Sequence, residues 1–120
     1  MPWLMKIRKK SDFMINYRFM RVIVFFDLPM ETRIERRNYA SFRKFLIRSG
    51  FIMMQKSIYT KLALNLTAAS SMMAHVRRNK PEEGLIQMLI ITENQFSRIE
   101  YVLGDKTSEI LDSEERVVIL

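Results

Sequence analysis

From Phe19 to Phe26 the chain reads Phe-Met-Arg-Val-Ile-Val-Phe-Phe, and Asp27-Leu28-Pro29 follows at once. A run this apolar, rich in β-branched and aromatic residues, reads as a central strand buried on both faces. Pro29 ends it, because proline has no N–H for a sheet ladder. Whatever this chain folds into must cover both sides of that strand.

The segments that follow supply one cover. Thr32-Arg33-Ile34-Glu35 is a Thr-x-x-Glu capping box that opens a helix. Tyr39, Phe42, Phe45 and Leu46 fall on one face of it, and Ser49-Gly50 closes it with a glycine. Phe51 to Leu64 is strand material broken around Lys56-Ser57, either one long bent strand or two short ones. Thr67 to Asn79 reads as a second helix with Ala69, Met72, Met73 and Val76 inward, stopped by Lys80-Pro81. Leu85 to Thr92 is a nearly all-apolar strand, Thr92-Glu93-Asn94-Gln95 caps a single helical turn, and Ile99 to Leu103 reads as a short strand. An acidic stretch then leads to a terminal strand, Val117 to Leu120.

This order predicts an α+β, ferredoxin-like βαββαβ sandwich with extra C-terminal strands. Two helices cover only one face of such a sheet, yet Val22, Val24, Phe26 and Leu85 to Ile91 read as buried on both. A second copy of the sheet is the economical cover, so a homodimer is expected, with the terminal strand pairing at the partner's edge.

At 120 residues and 14.4 kDa the chain holds one domain, and its 48% apolar content serves a single core. Residues 14–120 are expected to form it. Residues 1–13 read as an N-terminal extension without a sustained period: a short amphipathic helix, a flexible arm or the product of an upstream start codon. They have basic residues but no apolar core and no small-residue cleavage site, so no secretory signal is read there. No apolar run approaches the ~20 residues of a membrane helix, and a cytoplasmic protein with no membrane partner is expected.

The absence of cysteine excludes disulfides, thiolate metal sites and a cysteine nucleophile, and His75 is the only histidine. On its helix His75 reads as an exposed polar residue rather than a base. Ten methionines suit adaptable core and interface packing better than a metal box. Glu93 and the acidic run from Asp105 to Glu115 read as solvated loop.

Charge is distributed unevenly. Met1 to Thr60 carries 13 basic and 4 acidic residues, a net of +9, whereas Lys61 to Leu120 carries 7 and 9, a net of −2. The basic half is an electrostatic footprint for a polyanion such as nucleic acid. Arg33, Arg36, Arg37, Arg77 and Arg78, with Lys61 and Lys80, are the candidate phosphate contacts. No base-reading element accompanies them, so binding is expected to follow the backbone.

Asp27 is the candidate catalytic and metal-binding residue, set at the rim of the sheet directly after the strongest strand. Its alternative role is to form the turn before Leu28-Pro29 by hydrogen-bonding its own backbone. Across a two-fold axis one Asp27 per chain becomes two per dimer, a donor set that suits one Mg²⁺ with waters completing its shell.

Tyr17-Arg18-Phe19-Met20-Arg21-Val22 running into Phe26-Asp27-Leu28-Pro29 resembles the opening strand of the small CRISPR-associated adaptation proteins, the Cas-two family. Tyr39 to Gly50 with its Phe-Arg-Lys-Phe-Leu centre, Phe51-Ile52-Met53 to Ser57-Ile58-Tyr59, Thr92 to Arg98 and Ser113 to Val118 match in the same order, most like the form in type II systems. The resemblance spans about Met14 to Leu120. It implies a ferredoxin-like homodimer whose terminal strand crosses to the partner, with Asp27 at the family's metal-binding position. It also implies spacer acquisition in antiviral defence, with the dimer bridging copies of the larger adaptation integrase on double-stranded protospacer DNA. Catalysis stays open: members are classed as Mg²⁺-dependent endonucleases on RNA or DNA, while the scaffold role needs no cleavage. A toxin-like messenger-RNA nuclease of similar fold is a third reading.

Overall fold

The computed structural model describes residues 18–104. The expected N-terminal extension, the acidic run from Asp105 and the terminal strand Val117 to Leu120 lie outside them.

Strand β1 (Met20–Asp27) is followed by helix α1 (Arg33–Arg48), strands β2 (Ile52–Gln55) and β3 (Ile58–Ala63), helix α2 (Leu66–Arg78), strand β4 (Leu85–Thr92) and a single turn, α3 (Glu93–Phe96). The sheet runs β2-β3-β1-β4 with every neighbour antiparallel, which is the ferredoxin-like order. β1 is central, as its apolar run requires.

Local chemistry sets the helix ends. The Thr32 hydroxyl accepts from the Glu35 N–H at 3.1 Å, and the Glu35 carboxylate accepts from the Thr32 N–H at 2.9 Å, so the predicted box is complete. At the other end Gly50 takes φ +92°, its N–H donating to Ile47 O and that of Phe51 to Leu46 O, both at 3.0 Å. Those paired bonds form a Schellman stop, which favours glycine at the left-handed position. α2 begins one residue earlier than the periodicity suggests, because Asn65 caps it by accepting from the Ala68 N–H at 2.8 Å.

Both helices pack on one face of the sheet. Val22, Val24 and Phe26 of β1 meet Phe42 and Leu46 of α1 and Ala69 and Val76 of α2 in the core. Phe26 is its hub, edge-on to Phe42 at 5.2 Å and stacked with Tyr59 at 5.7 Å. Tyr59 is fully buried, and its hydroxyl is satisfied by the Arg43 Nε–H at 2.8 Å.

One expectation is corrected, that of a strand over Ile99 to Leu103. Within one chain β4 packs Ile86, Met88 and Ile90 toward the core and leaves Leu85 and Leu89 about half exposed, on the face for which a second copy is the expected cover. It is an edge strand, and nothing in the described residues covers its outer side. Ile99 to Leu103 forms no strand. The Arg98 and Ile99 N–H groups complete the turn of α3 onto Gln95 O and Phe96 O, and the chain then leaves the sheet with Val102 and Leu103 almost fully exposed. A strand needs a neighbour about 4.8 Å away, and the described residues offer none there.

Candidate metal and nucleic-acid site

The register places five features at one end of the sheet. β1 finishes there at Asp27, opposite Leu85 where β4 begins, while the turn Lys56-Ser57 precedes Ile58, the partner of Phe25. α1 begins at that end and α2 finishes there, since each runs antiparallel to the strand before it. Asp27 and all the predicted arginines therefore share this end.

Asp27 is exposed, and its carboxylate makes no hydrogen bond or ion pair among the described residues, so the turn-forming role is not what holds it. Leu28 is turned inward, 7% exposed in the core, and this anchors the backbone that presents Asp27 outward. Gly84 packs against the same backbone with φ +111°. A side chain there would start 2.5 Å from the Leu28 Cδ2 and 3.0 Å from the Asp27 carbonyl oxygen.

Asp27 lines an open depression of about 410 Å³ with Phe25, Gln55, Lys56, Ser57 and Gln87 among its walls. The donor set of one chain is a single carboxylate there, and no group of three His, Cys, Asp or Glu residues assembles among the described residues. Mg²⁺ commonly takes one or two carboxylates and completes its shell with water and substrate phosphate. Asp27 fits such an ion if a second copy, or a phosphate, supplies the rest.

Arg33 and Arg37 are exposed on the first turns of α1, and Arg77 and Arg78 on the last turn of α2. Arg36 is exposed too, but its Nη1 donates to Glu31 O at 2.7 Å and Met30 O at 3.2 Å, which braces the β1–α1 loop. Lys61 is not at this end: its Nζ donates to the Ser49 carbonyl at the C-terminus of α1, so it serves the fold. His75 is exposed, with its ring 5.0 Å from Phe45.

Glu93 is no solvated loop residue. Its carboxylate takes a fork from Arg21, Nε–H at 2.8 Å and Nη2–H at 2.6 Å, and the guanidinium lies 4.3 Å from the Phe96 ring centre. Helical capping at Thr92 was legible in sequence; the partner 72 residues away was not. Lys56, Gln55 and Gln87 were missed as neighbours of Asp27, since only the strand register brings them together.

Residues 20–99, which include every element described, match the family described as CRISPR associated protein Cas2. The chain belongs to the Cas2 family. It is 52% identical over 101 residues to the CRISPR-associated endoribonuclease Cas2 of Treponema denticola, covering 84% of this chain and all of that protein. It is 46% identical over 101 residues to the protein of the same name from Streptococcus mutans, covering 84% of this chain and 93% of that one. The namesake of Ligilactobacillus salivarius is 42% identical over 101 residues, with 84% and 100% covered. Family membership places the chain in CRISPR systems and agrees with the ferredoxin-like fold. No helix among the described residues is long and apolar enough to cross a membrane.

Proposed function

We propose that this Cas2 chain works in spacer acquisition as a homodimer that grips protospacer DNA by its backbone and bridges copies of the larger adaptation integrase. The observation that carries the DNA reading is the convergence of exposed Arg33, Arg37, Arg77 and Arg78 on one end of the sandwich. Arginines set at one end with no base-reading element suit a phosphate backbone rather than a sequence. The dimer reading rests on the helix-free face, where Ile52, Leu62, Leu85 and Leu89 stay exposed and the Thr60 hydroxyl is buried without a partner among the described residues. A second copy of that face supplies the missing cover.

Replacing Arg33 and Arg37, or Arg77 and Arg78, with Ala tests the DNA reading on short duplexes. Each pair should weaken binding and lower the slope of log K against log salt by about 2. Wild-type slopes in both variants would contradict it. Arg36 is left in place because it braces the loop.

A second reading, metal-dependent endonuclease on RNA or DNA, is favoured by the placement of Asp27 and by the names of the relatives. In it the Asp27 carboxylates of two copies hold one Mg²⁺, whose chemistry when bound is to activate water and neutralise charge on a phosphodiester. Leu28 and Gly84 fix the backbone that aims Asp27 outward, and Phe25 makes the apolar floor beside it. Asp27→Asn separates the readings: it should abolish Mg²⁺-dependent cleavage while leaving duplex binding and spacer acquisition intact. Loss of acquisition would place catalysis at the centre of the function.

A further inference from the structure

We propose that Lys56 is the phosphate-binding cation of the Asp27 depression. The inference rests on reading Asp27 as the metal-binding carboxylate. Its basis is the way the β2–β3 turn is built. The Ser57 carbonyl accepts from the Phe26 N–H at 3.0 Å, which ties the turn to the residue before Asp27. The Lys56 carbonyl accepts from the Tyr39 hydroxyl at 3.3 Å, which ties it to α1. The register slips between Met53 and Gln55, an irregularity of the kind that re-aims side chains beside sites. Lys56 thus has a backbone held from two sides and an exposed side chain that makes no ion pair among the described residues. It shares the depression with Asp27, and the exposed amides of Gln55 and Gln87 flank it with donors and acceptors for a sugar or base edge. A cation beside this carboxylate offsets the single negative charge of a bound phosphodiester, which Asp27 alone would repel.

The test measures binding of a short fluorescent single-stranded RNA, and of DNA of the same sequence, to the full chain in Mg²⁺ across a salt series. Lys56→Met should weaken binding and lower the log–log salt slope by about 0.7. Lys56→Arg should restore the slope, and Lys44→Met, a control exposed in the C-terminal half of α1 and outside the depression, sets the effect of removing an exposed charge. A loss in either polymer greater than the control assigns the contact to that polymer's phosphate. Lys56→Met matching wild type, or matching Lys44→Met, in both polymers overturns the proposal. Failure of the Asp27 reading has its own signature: Asp27→Asn would keep the full Mg²⁺ stimulation of binding while the Lys56 slope change persisted.

Discussion

Asp27 owes its position to two neighbours that do no chemistry. Leu28 buries its side chain and Gly84 leaves room for the backbone between them, so the carboxylate is carried outward on a turn with little freedom. Gly84→Ala would meet an unfavourable left-handed φ and drive a methyl group into Leu28 and the Asp27 carbonyl. A loss of about 2–4 kcal/mol is expected, adding the backbone penalty to overpacking, measured by urea unfolding. A loss below about 0.5 kcal/mol, the level of an ordinary surface change, would show that the turn adapts freely. Asp27 itself was legible because a strand ended by proline leaves its last residue at a rim. Lys56 was not legible, because its nearness to Asp27 depends on the pairing of Phe25 with Ile58, a fact of register rather than of spacing.

The elements were mostly written in local sequence. Two capping boxes, one glycine stop and the β1 run each act within a few residues, so the chain alone specifies them. The strand break at Lys56-Ser57 resolved into two strands because that pair is the turn. The failures share a cause in non-local partners. Ile99 to Leu103 has the residues of a strand but pairs with no strand in the described chain. Glu93 has the residue type of a loop but pairs with Arg21 of β1. That fork pins α3, and with it the direction in which the chain leaves β4. Side chains of Arg21 and Glu93 are 15% and 33% exposed, so solvent screens the pair only in part. Arg21→Met is expected to cost about 1–2 kcal/mol, since a charged two-bond contact and a ring contact are lost. Thermal unfolding checks it; an unchanged midpoint would mean that α3 is held by Thr92 and Phe96 without the ion pair.

At the scale of the whole molecule, the sandwich is lopsided. One face of the sheet carries two helices over a close-packed aromatic core, and the other offers Ile52, Leu62, Leu85 and Leu89 to water. The arginine-bearing end lies at one extreme of the strands and the Arg21–Glu93 fork at the other; the helix-borne arginines leave the sheet face to a partner copy, which meets the Asp27 depression at Leu85. This division is what a small adaptor needs if it must join two kinds of macromolecule at once. The most direct test is solution mass by light scattering, for the protein alone and then with a CRISPR adaptation integrase and short duplex DNA. A dimer that enters a larger DNA-bearing assembly, and that Leu62→Glu converts to a folded monomer excluded from it, is the predicted result. A wild-type monomer, or a dimer indifferent to both integrase and DNA, would contradict the account.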